Sequence, residues 1–160
     1  MLRKIGLLGP GLAMLWAGFA MAGNVLLPAV KFNADVGRID LLRVGHEQFF
    51  WAGVAESVIC VVFLLAMWSR RNSRVIWLLA APVLILLVQR YLLYPMLDER
   101  TLAQIAGETV GDSPLHVIYA VLEAVKIALL LAIGVVGTLV HAPRGVQSSL
   151  PEGRTLDAPA

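Results

Sequence analysis

The stretch at 115–140 reads LHVIYAVLEAVKIALLLAIGVVGTLV. A helix rises about 1.5 Å per residue, so about 20 apolar residues cross the roughly 30 Å hydrocarbon layer of a bilayer. This stretch is longer than that and holds only two formal charges, Glu123 and Lys126. As a helix it puts His116, Tyr119, Glu123 and Lys126 on one face, at spacings of three, four and three. It therefore predicts a membrane-spanning helix with a polar stripe turned inward.

Three more stretches have the same character, at about 5–30, 48–68 and 75–97. Of 160 residues, 59% are hydrophobic and 15% charged, whereas soluble domains average about 45–50% and about 25%. The fold expected is all-α: a four-helix transmembrane bundle, a single domain over 1–141. Pro82 falls inside the third span, where a lipid-embedded helix tolerates it as a kink. The connections are short and polar. Residues 31–47 carry Lys31, Asp35, Arg38, Asp40, Arg43 and Glu47; 69–74 read SRRNSR; 98–114 read DERTLAQIAGETVGDSP. In the third loop Asp98 can cap a short interfacial helix that shows Leu102 and Ile105 on one face and ends at Gly107. Residues 142–160, rich in Pro, Gly and Ser, are expected to form a disordered cytoplasmic tail.

Loops rich in Lys and Arg stay in the cytoplasm. Arg3, Lys4, Arg70, Arg71, Arg74, Arg144 and Arg154 fall on one side, and Lys31, Arg38, Arg43 and Arg100 on the other, seven against four. Both termini are thus expected in the cytoplasm, with the first and third loops outside. Arg3 and Lys4 before an apolar run, with Ala20-Met21-Ala22 downstream, also fit a cleaved signal peptide that would leave three spans. The continuation through Val25, Leu26 and Leu27 favours a retained first span. Gly11, Gly18, Ala13, Ala17 and Ala20 make a small-residue face for close helix packing.

Ionisable groups inside spans cost roughly 3 kcal/mol each on insertion scales. Four are present: Glu56, Arg90, Glu123 and Lys126, which sum to zero charge. In the second span His46, Phe49, Gly53, Glu56 and Cys60 share a face. At about 1.5 Å per residue, Glu56 and Lys126 each lie roughly 15 Å below the histidine that heads their helix. Arg90 and Glu123 lie about one turn nearer the outside. The spacing predicts two ion pairs, Glu56 with Lys126 and Arg90 with Glu123, or equally one four-member network, flanked by Gln89, Tyr91, Asn24 and Tyr119. Such a network either fixes helix register or lines an outward-facing pocket in which Arg90 and Lys126 attract an anionic group.

His46 and His116 head neighbouring helices on one membrane side. They fit interfacial hydrogen bonding, a metal site completed by Glu47 or Asp112, a bis-histidine b-haem between the helices, or a proton-linked role. Trp16, Trp51, Trp68 and Trp77 read as interfacial belt residues, and Cys60 as core. One cysteine allows no internal disulfide and no C-x-x-C pair. No nucleophile elbow, phosphate loop or zincin helix is present. A net charge of +2 gives no nucleic-acid footprint. No catalytic constellation and no required cofactor are expected, with haem or a divalent metal as the alternative.

Two stretches, LLPAVKFNADVGRIDLLRVGHEQFF at 26–50 and QRYLLYPMLDERTLAQIAGETVGDSPLHVIYAVLEAVKIALLL at 89–131, resemble a group of small bacterial four-helix integral membrane proteins built on a domain of unknown function. In that pattern the third helix runs into P-x-L-D-x-R, here Pro95, Leu97, Asp98 and Arg100. A small-residue linker then leads to H-x-x-Y-x-x-x-E-x-x-K, here His116, Tyr119, Glu123 and Lys126. The polar entry His46-Glu47-Gln48 departs from it. The resemblance implies the fold, the topology and a bacterial cytoplasmic (inner) membrane; it implies no activity. Three functions stay open. One is binding of a small molecule, lipid headgroup or ion in an outward-facing polar pocket. The second is a structural or accessory subunit whose charge network only fixes helix packing. The third is electron transfer through haem or metal at His46 and His116. The bilayer is the expected partner, with a homodimer or a membrane complex open and no nucleic acid.

Overall fold

A computed structural model describes residues 2–67 and 73–141, with side chains described over 8–67 and 80–140. The expectations for the 142–160 tail, for the SRRNSR connection up to Asn72, and for the Trp68, Trp77 and His141 side chains lie outside that range. Among the described residues every regular element is a helix. Helix α1 (Leu2–Ala20) passes through a π-helical segment, Met21–Leu26, into the single turn α2 (Leu27–Lys31). Helix α3 spans Arg38–Met67. Helix α4 (Ser73–Val88) passes through a second π segment, Gln89–Leu93, into α5 (Tyr94–Ile105). Helix α6 spans Leu115–His141. The result is four rods.

Each rod holds a stretch long and apolar enough to cross a membrane: Leu8–Lys31, Arg38–Met67, Ala80–Ile105 and Leu115–Val140. The outer surface agrees with that count. Leu65, Val117, Leu139 and Val140 are among many apolar side chains left exposed around the bundle, a surface that suits lipid and not water. The chain is a multi-pass, all-α membrane protein.

Two boundaries differ from those the hydropathy predicts. Helix α3 begins at Arg38, ten residues before the expected 48. Asp40 in its first turn complements the helix N-terminus, and Arg43 answers Asp40 at 3.3 Å on an exposed face. The helical turns expected in the third loop are present in α5, but they continue the third rod. Asp98 therefore sits within a helix and caps nothing, while Gly107, at φ 86°, ends the rod. Pro82 does not split α4.

The two π segments have one cause. Proline carries no N–H and cannot bond the carbonyl four residues back. Pro28 and Pro95 each stand just after such a segment, and the residue before each reaches five back instead: Leu27 N–H to the Ala22 carbonyl, Tyr94 N–H to the Gln89 carbonyl. The wide turn carries the rod past the proline without a break.

The rods pack around Ala13, Trp16, Ala17, Cys60, Phe63, Leu86, Ile127 and Leu130. Helices α1 and α6 lie closest. A Cβ on Gly137 would stand 2.5 Å from Pro10 Cγ, and one on Gly134 would stand 3.3 Å from the Pro10 carbonyl. The small-residue face of α1 is thus only partly as expected. Ala13, Ala17 and Ala20 are buried, but Gly11 and Gly18 face outward with no atom within 4 Å of an added Cβ.

Candidate functional site: a buried charge network beneath a cavity

All four rods contribute to one polar cluster in the bundle core. Glu56, Gln89 and Glu123 are each 1% exposed and Lys126 is fully buried. Lys126 Nζ, from α6, donates to Glu56 Oε1 and Oε2 at 3.0 and 2.8 Å and lies 3.0 Å from Glu123 Oε2. Trp16 Nε1, from α1, donates to Glu56 Oε1 at 3.2 Å. Asn24 Nδ2, in the first π segment, donates to Glu123 Oε1 at 3.1 Å. Gln89 Nε2, in the second, donates to Glu123 Oε2 at 2.9 Å and to the Tyr119 carbonyl at 3.3 Å.

The Glu56–Lys126 pair and the Asn24 bond are the ones the spacing predicts. The Arg90–Glu123 pair is not formed. A π turn adds a residue to the turn, so Gln89 takes the inward face and Arg90 moves off it. The Arg90 guanidinium stacks instead on Phe50 and Tyr94, with Cζ 5.2 and 4.6 Å from the ring centroids. Gly53 makes room for it: a Cβ there would stand 2.8 Å from the nearer guanidinium nitrogen. Tyr91, expected beside the network, is 72% exposed. Trp16, expected in the interfacial belt, is core and belongs to the network.

The Trp16 bond can be isolated. Trp16→Phe keeps most of the ring packing against Phe63, which is edge-on at 5.9 Å, and removes the indole N–H. A bond to a charged group contributes about 1.5–3 kcal/mol, so the variant should unfold several degrees lower in a detergent melt. An unchanged midpoint would mean that Glu56 does not depend on that donor.

Above the network, where the first and third loops close the bundle, lies a cavity of about 340 Å³. Pro28, Phe32, Leu42, Phe49 and Leu97 make its apolar wall, and Lys31, His46, Asp98, Thr101, His116 and Tyr119 bring polar groups to it. His46 Nδ1 is 2.6 Å from Asp98 Oδ1, a contact that clamps the start of α3 to α5 and orients the imidazole. Lys31 Nζ hangs over Phe32 and Phe49 at 5.3 and 5.6 Å, a cation–π arrangement. Phe49 meets Tyr119 edge-on at 6.1 Å.

The two histidines do share this cavity. Glu47, offered as an oxygen ligand beside them, is exposed and does not line it; one residue on from His46 it points around the helix to the other side. Asp98 is the acidic neighbour of His46. Among the described residues no group of three His, Cys, Asp or Glu side chains is placed to hold a metal ion. Lys126 is sealed beneath the cavity, and Arg90 does not line it. Neither brings its charge to the cavity; Lys31 lines it. Comparison with protein-family models, with curated proteins and with solved structures finds no match for this chain.

The sequence-level signals for Lys31, Tyr94 and Thr101 were weak. Lys31 closes a span and reads as a snorkelling end residue. Thr101 and Asp98 lie one turn apart, and Tyr94 one turn before Asp98, so the third rod shows the cavity a stripe once it is read through to Ile105.

Proposed function

We propose that this chain is a non-enzymatic binding protein of a bacterial inner membrane that holds the anionic head of an amphiphile in the cavity above the charge network. A lipid headgroup belongs to that class. One observation carries the reading. A single cavity sets a lysine and two histidines against an apolar and aromatic wall, and among the described residues Lys31 forms no ion pair with a carboxylate. An anion would pair with the Lys31 ammonium, His116 would donate beside it, and the apolar body would lie over Phe32, Phe49 and Leu42. Pockets of this kind combine an apolar wall with a few placed polar groups. In the sequence, Lys and Arg are more numerous at the termini and in the second connection than in the first and third loops, seven against four, which supports cytoplasmic termini and a cavity that opens outward.

The network has a separate task in this reading, fixing how the rods pack. The test uses two lysolipids that differ in net charge. Lysophosphatidylglycerol is expected to bind the purified protein, read by native mass spectrometry, and lysophosphatidylcholine to bind far more weakly. Lys31→Met should weaken the anionic lipid by about tenfold, near the lower end of one charge-assisted bond. Equal binding of both lipids, unmoved by Lys31→Met, would sink the reading.

A further inference from the structure

The buried cluster holds one more negative charge than positive. Glu56 and Glu123 are carboxylates, Lys126 is the cation, and none of the three is more than 1% exposed. The three contacts of the ammonium group all go to those carboxylates. The other donors on them, from Trp16, Asn24 and Gln89, are neutral. Arg90, the next cation along the third rod, makes no ion pair with either carboxylate; it stacks on Phe50 and Tyr94, and its Nη1 is buried without a hydrogen-bond partner. An unbalanced charge in a dry core is unfavourable by several kcal/mol.

A second, independent observation falls at the same place. Gln89 is itself 1% exposed, and its Oε1 is buried without a donor. The amide end of Gln89 lies 2.9 Å from Glu123 Oε2 and 3.3 Å from the Tyr119 carbonyl oxygen. The orphan oxygen thus belongs to the side chain that touches the carboxylate sharing the ammonium less fully. Glu56 takes two of the three Lys126 contacts and the Trp16 N–H, so the ammonium and the indole are spent mainly on that carboxylate.

We infer that the Glu123–Gln89 corner binds one small monovalent cation, a proton or a sodium ion, which brings the buried cluster to neutrality. A proton would sit on Glu123 Oε2. Turning the Gln89 amide over places Oε1 where Nε2 now stands, 2.9 Å from that oxygen, within O–H···O reach. A sodium ion would take Gln89 Oε1, Glu123 Oε2 and the Tyr119 carbonyl, a set of hard oxygen donors of the kind such cations prefer. The titratable and charged groups around the corner are Glu56 and Cys60 from α3, Tyr119 and Lys126 from α6, and Arg90 and Tyr94 from the third rod. The first rod brings Trp16 and Asn24, which do not titrate. Tyr119 also lines the cavity, so the cavity is the side from which the cation arrives. The inference stands whether or not the cavity takes an amphiphile.

The test uses the full chain in detergent micelles, with infrared spectroscopy and thermal unfolding. If the cation is a proton, the wild type shows a protonated carboxyl C=O band at neutral pH. That band shifts on exchange into D2O and is lost in Glu123→Gln. If the cation is sodium, the band is absent, and replacing choline chloride with sodium chloride at constant ionic strength raises the unfolding midpoint. That rise is lost in Glu123→Gln. Gln89→Leu keeps every charge and removes the orphan oxygen: it should shift the carboxyl band in the first case and abolish the sodium response in the second. A wild type with neither a protonated carboxyl band nor a sodium response overturns the inference, whatever the variants do. So does a band or sodium response that survives Glu123→Gln.

Discussion

Lys126→Met is expected to leave little folded protein. Lys126 is fully buried and is the only cation in contact with Glu56 and Glu123 among the described residues. Methionine matches the length of the side chain but returns no charge, so Glu56 would lose the cation that touches it. Removing one partner of a buried pair costs about 3–5 kcal/mol, and whole domains are stable by only about 5–15 kcal/mol. The informative control is the triple change Glu56→Gln, Glu123→Gln, Lys126→Met, which removes every charge from the cluster. It should recover most of the stability, because neutral groups of like shape replace a charged set at little net cost. Thermal melts of the two variants in one detergent decide the matter. A single variant as stable as the wild type would mean that the carboxylates are neutral without Lys126. A triple variant no better than the single one would mean that the ion pairs themselves hold the bundle.

The second large effect is steric and lies at the opposite end of the bundle. Gly137→Ala puts a methyl group 2.5 Å from Cγ and 3.0 Å from Cβ of Pro10, far inside van der Waals contact. Pro10 is a rigid ring within α1, so the methyl can be accommodated only by moving the helix. Overpacking of this kind costs about 1–3 kcal/mol. Gly134→Ala meets Met14 Cγ at 2.5 Å, a flexible chain that can swing away, and should cost less. Gly11→Ala meets nothing within 4 Å and should be neutral or stabilise slightly, since alanine exceeds glycine in helix propensity by about 1 kcal/mol. The order of the three unfolding midpoints is the measurement. If Gly11→Ala were the most damaging, α1 would be turned the wrong way in this packing.

Four spans were legible from hydropathy alone, because 20 or so apolar residues in a row have few other uses. The Glu56–Lys126 pair was legible too, since both residues lie ten positions below a histidine on straight α-helices. Arg90 was not. Its expected partner followed from a regular helical period, and Pro95 breaks that period five residues further on. A proline this close to a charged residue in a span is the signal that periodicity should not be carried through it. Trp16 was misplaced because aromatic residues in spans are usually read by distance from the nearest end. It lies eight residues inside the apolar stretch that begins at Leu8, opposite a buried carboxylate, where an indole N–H is needed. Lys31 had no periodic signature, and although three helices each carry a stripe of lining residues, nothing in the periods says that the four segments meet around one cavity.

The distribution of the network over every rod bears on how the chain is built. Taken one at a time, α3 enters the membrane with an unanswered Glu56, the third rod with Arg90, and α6 with Glu123 and Lys126 together. Each such residue resists insertion by roughly 3 kcal/mol until its partner arrives. The first and second rods can settle early, joined by Trp16 to Glu56. Lys126 reaches that carboxylate only with the last rod, and Asn24 and Gln89 then close on Glu123. Three-rod intermediates are thus left charged in lipid, and arrival of the fourth rod turns a strained set of spans into a closed one. No rod can later slip out without stranding a charge or a buried donor in hydrocarbon, so quality control in the membrane meets a chain that is either complete or conspicuously unfinished.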